Sequence, residues 1–500
     1  MSIRKLKILF VTSEAIPFVK TGGLADVSAA LPKVLTEMGH EVRLIIPKYG
    51  AVDERKFKVH DIIRLKDICV KIGDKDVIFS LKSCFLPGVR TRVQIYFLEN
   101  YEYFGNRNSL YVDPKTGKDY PDNDERFILL NRAVLEMIIK LGWCPDVIHL
   151  NDWQCGLVPA YAKTIYKDFE GFDKIKTLLT IHNLAYQGKF PQTSFKKTGL
   201  PEELNNEKKG ILVDGKLNFL KAGLLFADAI NTVSETYSIE IRTKDEYGEG
   251  LKDVFAKRKD KLFGILNGID YNLWNPEKDK LIHSNYSIKS LDKKIENKIY
   301  LLERFGLKYN QDVPLLGVIS RLYDSKGIDL IQKAFPDLMK LNIQFILLGT
   351  GDLKYHTFFE KMAYKYSQKF SCYLGFSDEL AHLIEAGADM FLMPSRYEPC
   401  GLNQMYSMVY GTIPIVRETG GLADTVKKFN EKTGEGTGFV FIKYDVDDMI
   451  NEIKRAIKVY ANKDVWTKLI KTGMKQDFSW NLSVKKYIDL YRKIVSEDRN

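Results

Sequence analysis

Short apolar runs punctuate the chain, each followed by a longer stretch with helical spacing. In the first half they fall at residues 7–11, 42–46, 93–98, 146–150, 177–181 and 228–233. In the second they fall at 262–266, 315–319, 344–348, 371–374, 390–393 and 413–416. The runs are continuous rather than alternating, as in parallel strands covered on both faces. Strand then helix, repeated, predicts doubly wound α/β domains. At 500 residues the chain exceeds one comfortable core, so two such domains are expected. The stretch 234–261 is charged and poor in large aliphatics and reads as the linker. The expected domains are therefore 1–261 and 262–480. Val484, Tyr487, Ile488, Tyr491 and Ile494 share one helical face, so 481–500 reads as a last helix returning to cover the first domain.

An internal echo supports two similar halves. Residues 20–27 read KTGGLADV and residues 418–425 read ETGGLADT, identical at six of eight positions. Each copy follows a strand-like run and precedes a helix-like one. Gly-Gly serves tight turns in any fold. The functional reading is that both domains present a glycine-rich strand-to-helix turn to one site.

Composition narrows the class. Hydrophobic residues make up 45% and charged residues 28%, an ordinary globular balance. No apolar run is long enough to cross a bilayer, and the N-terminal residues lack the apolar core of a signal peptide, so none is expected. Six cysteines, at 69, 84, 144, 155, 372 and 400, form no C-x-x-C pair and no zinc spacing, which suits reduced thiols in a cytoplasmic protein. The formal charge of +10 is spread along the chain and suits an acidic small substrate. No nucleic-acid-binding module is visible.

Candidate chemistry follows the strand ends. Thr21-Gly22-Gly23, after the first run, lets backbone N–H groups approach an anion at a helix N-terminus, with Lys20 as a point charge beside it. It is neither G-x-G-x-x-G nor a Walker A loop. Arg321 and Lys326 lie five apart after the run 315–319, at the strand edge where open α/β sheets bind ligands; two cations there neutralise a diphosphate without a metal. Glu398 follows the run 390–393, and the N–H groups of Cys400, Gly401 and Leu402 are placed to meet sugar hydroxyls; the bland alternative for Glu398 is a helix N-terminal acid. His182 ends another strand and is placed to donate to a substrate oxygen, although a lone histidine is more often a core residue. Asp445-Val446-Asp447 has the D-x-D form of some metal-dependent sugar-nucleotide enzymes but reads as a helix cap. No metal or cofactor is called for. Between 101 and 127, Tyr101, Tyr103, Phe104, Tyr111 and Tyr120 either grip a sugar chain or pack on the domain; the two readings stand level.

Together these motifs resemble the bacterial glycogen synthases and plant starch synthases along essentially the whole chain. The resemblance is carried in order by K-T-G-G-L-A-D (20–26), N-D-W-Q (151–154), H-N-L-A-Y-Q-G (182–188), I-L-N-G-I-D (265–270), S-R-x-x-x-x-K-G (320–327), P-S-R-Y-E-P-C-G-L (394–402) and T-G-G-L-A-D-T (419–425). It implies a GT-B fold, two Rossmann-like domains facing a cleft, and transfer of glucose with retention from ADP-glucose to an α-1,4-glucan. It implies no metal requirement. UDP-glucose remains the alternative donor, since no residue read here selects the base; Phe376 is a candidate to stack on it. The resemblance makes Lys20, Gly22 and Gly23 the donor loop, with Asp26 its support. Arg321 and Lys326 become the diphosphate clamp, and Thr419, Gly420 and Gly421 a second diphosphate contact. Glu398 becomes the catalytic-site acid with Cys400 beside it. His182 resembles the histidine on the transferred glucose, Asn267 and Asp152 resemble cleft residues, and Tyr111 lies in the acceptor region. Two departures stand out. Ser234-Glu235-Thr236 replaces the family's usual Ser-Pro-Thr, and Tyr406 stands where sucrose- and trehalose-phosphate-type relatives often carry a second Glu. Another GT-B transferase, a glucan phosphorylase or a non-catalytic glucan-binding scaffold are the rivals.

Overall fold

The computed structural model describes residues 4–88 and 92–496; of the expected domains, 1–3, 89–91 and 497–500 lie outside the described residues. The chain forms two α/β units. The first comprises the described residues up to Val233, Ser238–Asn267 and those from Ser483 onward; the second comprises Ser234–Tyr237 and Gly268–Leu482.

The first unit is built on a sheet whose central strand, Lys7–Val11, buries four of its five residues. On one side it pairs in parallel with Glu41–Pro47, then Gln94–Glu99. On the other it pairs in parallel with Val147–Asn151, followed by Lys176–Ile181, Ala229–Thr232 and Leu262–Gly264. The strand order therefore reverses between Lys7–Val11 and Val147–Asn151, which opens a ligand-binding edge at their C-terminal ends. Beyond Gln94–Glu99 the sheet turns antiparallel through Lys75–Phe85, which pairs with both His60–Asp61 and Ile68–Ile72.

Two expectations are corrected here. The run at 262 closes the first sheet rather than opening the second, and the first unit extends to Asn267. The stretch read as a linker folds into the helices Glu235–Thr243, Asp245–Gly248 and Lys252–Lys257, and from Ser238 it belongs to the first unit. Few aliphatics suffice there because the helices are short and are buried through Tyr237, Ile241, Tyr247 and Phe255.

The last helix, Trp480–Ser496, joins the first unit from Ser483. Tyr491 and Tyr487 are fully buried. The Tyr491 hydroxyl lies 2.7 Å from Nδ1 of His149, and the Tyr487 hydroxyl accepts from Asn231 at 3.0 Å. Burial holds His149 well below the usual imidazole range, so it is a neutral core histidine, with Nε2 2.7 Å from the Thr180 hydroxyl. Tyr491→Phe would leave that Nδ1 without its partner and should cost about 1–2 kcal/mol. Urea unfolding reads this directly, and an unchanged midpoint would mean that the hydroxyl contributes nothing.

The second unit carries a parallel sheet in the order Phe370–Leu374, Gln344–Gly351, Leu315–Leu322, Met390–Met393, Ile413–Arg417, Phe439–Phe441. Its helices follow the amphipathic rule. In Val446–Tyr460, Met449, Ile450, Ile453, Ala456, Val459 and Tyr460 form one buried face. Asp445 caps that helix by accepting from the N–H groups of Asp447 and Asp448, so the D-x-D run does the work of a cap. The strand order reverses between Leu315–Leu322 and Met390–Met393. Among the described residues no helix is long and apolar enough to cross a membrane.

Candidate active site

In the second unit, the loops leaving those two central strands enclose a cavity of about 310 Å³. Arg321, Lys326, Phe376, Glu398, Gly401 and Leu402 all line it. Lys326 and Glu398, 72 residues apart, form a two-pronged ion pair: Nζ donates to Oε1 at 2.8 Å and to Oε2 at 2.6 Å. Glu398 is 6% exposed, and its Oε2 also accepts from the buried Ser395 hydroxyl at 3.1 Å. Arg321 is exposed at the rim, with its guanidinium 5.9 Å from the Tyr323 ring centre. Phe376 is 86% exposed at the same cavity. An aromatic ring this large is left in solvent at an energetic cost unless something covers it.

Cys400 lies behind the cavity wall, buried, with its carbonyl accepting from Gln404 at 3.1 Å. Thr419, Gly420 and Gly421 are also buried there. The N–H of Gly421 donates to the carbonyls of Glu398 (3.1 Å) and Pro399 (3.2 Å). A Cβ built on Gly420 would stand 2.1 Å from the Glu398 carbonyl oxygen, and one on Gly421 1.9 Å from that of Cys400. Gly421 thus has its N–H engaged within the protein, while Gly420 and Thr419 sit directly behind the Glu398 turn. These glycines exist because the backbone of the Glu398 turn rests directly on them.

The first copy of the octapeptide behaves differently. Around Gly22 and Gly23 a Cβ would meet nothing within 4 Å. Gly22 is extended (φ −160°), a conformation any residue adopts, so the fold itself does not demand glycine there. Lys20 pairs with Asp26 at 2.8 Å. The loop is fastened from below by Glu14, which the sequence reading passed over. Its carboxylate, 4% exposed, accepts from the Thr21 hydroxyl at 2.9 and 3.0 Å and from the N–H groups of Thr21 and Gly22. Burial raises its pKa above the usual carboxylate range. Two N–H groups expected to meet an anion are thus already taken, which leaves Lys20 and the helix start beyond them. The signal for Glu14 was an acid directly after a buried strand, where charge is costly without a task.

Asp152 and His182 end the neighbouring strands. Asp152 has φ +57°, uncommon for a non-glycine residue. Its carboxylate accepts from the His182 N–H at 2.7 Å and from that of Asn183. Burial pushes it up to about 7, with the Glu14 carboxylate adding to the rise. Burial lowers His182 to about 3, so the ring is neutral at physiological pH. Asn151 fixes its tautomer: Asn151 Nδ2 donates to the Val11 carbonyl at 2.9 Å, so its Oδ1 must accept from His182 Nε2, also at 2.9 Å. The remaining nitrogen, Nδ1, is then an acceptor. In this tautomer Nδ1 can accept, but not donate, a hydrogen bond. The Tyr111 hydroxyl bonds Ser13 at 2.6 Å and its ring packs near Phe127. Tyr103 and Phe104 are buried and Tyr120 lies under Arg107 and Arg126, so of this aromatic stretch Tyr101, 76% exposed, is the ring left open to solvent. Asn267 is 8% exposed, and its Oδ1 makes no hydrogen bond to any described residue.

The Asp152 carboxyl has a measurable signature. With a folded pKa near 7 against an ordinary value near 4, its contribution to stability is present below about pH 4 and is lost as pH rises through about 7. Asp152→Asn should therefore stabilise the protein relative to the native chain by about 1–2 kcal/mol more at pH 8 than at pH 5, since its side chain is partly solvated. Thermal melts at the two pH values check this; a pH-independent difference would contradict the raised pKa.

Two α/β units, each with charged residues in the loops at its sheet's switch point, fit a glycosyltransferase, and known proteins of that class match the chain. Residues 7–257 match the family model "Starch synthase catalytic domain", and residues 302–473 match "Glycosyl transferases group 1". The glycogen synthase of Thermosipho africanus is 45% identical over 99% of this chain and 100% of its own length. That of Clostridioides difficile is 44% identical over 98% and 100%. Among solved structures, the catalytic domain of starch synthase IV from Arabidopsis thaliana, bound to ADP and acarbose, superposes with a TM-score of 0.86 at 32% identity, covering 99% of this chain and 100% of that one. The chain belongs to the glycogen synthase and starch synthase family, with its GT-B fold.

Proposed function

We propose that this enzyme transfers glucose from ADP-glucose to the non-reducing end of an α-1,4-glucan, with retention, releasing ADP. The observation that carries the reading is the Lys326–Glu398 pair in a cavity at the switch point of the second sheet, with Arg321 at its rim. As the glucose C1–oxygen bond to the diphosphate breaks, negative charge develops on the leaving phosphate; Arg321 and Lys326 stabilise it, with Lys20 as a further cation. The glucose becomes oxocarbenium-like, and the Glu398 carboxylate stabilises that positive charge. The acceptor hydroxyl attacks C1 from the face the phosphate leaves, and its proton passes to the leaving phosphate oxygen. His182 Nδ1 accepts from a glucose hydroxyl and holds the ring in place. Gly401 and Leu402 offer backbone groups to the sugar. Orientation by these contacts supplies much of the rate.

The Phe376 ring stacks on the base. Such a face suits adenine and uracil alike, so the choice of ADP-glucose leans on the Arabidopsis relative, which was solved with ADP. A cytoplasmic location is favoured by six cysteines that are all free.

The deciding experiment is glycogen-dependent release of nucleoside diphosphate in the presence of EDTA, with ADP-glucose and UDP-glucose run in parallel. Release from ADP-glucose supports the reading. Release from UDP-glucose alone keeps the reaction and changes the donor. Release from neither turns the assignment toward another acceptor or a glucan-binding scaffold.

A further inference from the structure

The two copies of the octapeptide part company at their aspartates. In the first, Asp26 pairs with Lys20. In the second, glutamate stands at 418 where the first copy has Lys20, so Asp424 lacks that lysine. Its carboxylate instead accepts from the Ser234 hydroxyl at 2.7 Å, the Glu235 N–H at 2.8 Å, the Thr236 N–H at 3.2 Å and the Thr236 hydroxyl. These donors form the start of helix Glu235–Thr243, whose first N–H groups have no carbonyl partner within the helix. Ser234 also accepts from the Tyr237 N–H at 2.9 Å. Asp424 thus supplies the negative charge that a helix N-terminus favours, from 188 residues away.

The residues so held are the four, Ser234–Tyr237, with which the chain first enters the second unit. What lies on the other side of Asp424 gives the tether a consequence. Asp424 sits on the short helix Gly420–Thr425. That helix is locked to the Glu398–Gly401 turn by Gly421 N–H on the Glu398 carbonyl and by Gln404, whose Nε2 lies 3.1 Å from the Thr425 hydroxyl and from the carbonyls of Cys400 and Gly401. The turn in turn presents the Glu398 carboxylate to Lys326. A continuous run of hydrogen bonds therefore leads from Ser234 and Thr236 to the ion pair in the cavity.

We propose that Asp424 is a positioning residue for the transfer reaction: by gripping Ser234–Thr236 it fixes helix Gly420–Thr425, and through Gly421 it sets the place of Glu398. This rests on the transferase reading above. The departure at Glu235 belongs to the same device. A proline there, as the resembling family usually has, offers no N–H, so this chain adds one donor to the grip.

The test compares Thr236→Val, which keeps the shape and removes the hydroxyl, with Thr236→Ser, which restores it, Glu235→Pro and Asp424→Ala. Two quantities are read: hydrogen exchange at the Gly421 amide in the full chain, and kcat against donor KM. In Thr236→Val the Gly421 amide is expected to exchange about fivefold faster. Its kcat should fall about 10- to 100-fold while donor KM stays nearly constant. Thr236→Ser should return both to the native values, and Glu235→Pro, still held by two hydroxyls and one N–H, should lie between. Faster exchange with unchanged kcat would make the tether purely structural and overturn the proposal. Unchanged exchange in Thr236→Val and Asp424→Ala would overturn the tether itself. The exchange measurement needs neither nucleotide nor glucan, so it decides the tether even if the native enzyme releases no ADP, a result that would instead overturn the transferase reading.

Discussion

Glu398→Ala will lower the turnover of glucan transfer by about 10²- to 10³-fold, the loss expected when one preorganised charge at the reacting centre is removed. The native fold will survive, because among the described residues the carboxylate bonds Lys326 and Ser395 and the turn that carries it is held through its backbone. Donor affinity should not fall with turnover. In the free enzyme both carboxylate oxygens hold the Lys326 ammonium, so a diphosphate must share that cation with Glu398. Removing the acid frees Lys326 for phosphate, and donor KM should stay level or drop. Steady-state kinetics with varied ADP-glucose separates the cases. A raised KM at native kcat would make Glu398 a binding group and remove it from the chemistry.

The second large effect comes from glycines of identical local sequence. Gly421→Ala forces a Cβ to within 1.9 Å of the Cys400 carbonyl oxygen, so the Glu398 turn must move. We expect a destabilisation of about 1–3 kcal/mol together with a loss of about 100-fold in kcat from misplacement of Glu398. Gly23→Ala meets open space at the start of a helix and should raise the melting temperature slightly, since alanine loses less chain entropy on folding than glycine. If the loop approaches the donor closely, its donor KM should nonetheless rise by about tenfold. Melting curves and kinetics on the two variants sort the roles. A fully active Gly23→Ala enzyme would end the close-approach reading, and a stable, active Gly421→Ala enzyme would show that the Glu398 turn accommodates the displacement.

Much of the fold was legible because its parallel strands are buried on both faces and so read as continuous apolar runs. The run at 177–181 is the strand Lys176–Ile181, and that at 390–393 is Met390–Met393. The antiparallel strands were missed for the complementary reason. Ile68–Ile72 alternates buried and exposed residues and carries the period of a half-solvated sheet. The run at 262 was seen but given to the wrong sheet, because a strand's own residues do not name its neighbour; its partner, Ala229–Thr232, was fixed only by tertiary packing. The site shows the same limit. Lys326 and Glu398 were each picked out by their place after a strand, yet their pairing depends on the adjacency of two strands far apart in sequence. The free nitrogen of His182 depended on which way the Asn151 amide points, which its two hydrogen bonds decide and no spacing encodes.

The last helix has a consequence for how the protein is made. The central strand Lys7–Val11 precedes the whole second unit in the chain, and domains generally fold in order as they emerge from the ribosome. Yet His149, in the strand beside it, waits for the hydroxyl of Tyr491, 342 residues later. A nascent chain that already holds every strand of the first sheet still lacks the helix that covers His149 and Asn231. During synthesis of the entire second unit, that buried polar surface stays open to water or to a chaperone. Loss of the helix Trp480–Ser496 would thus be felt far from it in sequence, at His149 and Asn231 of the first sheet.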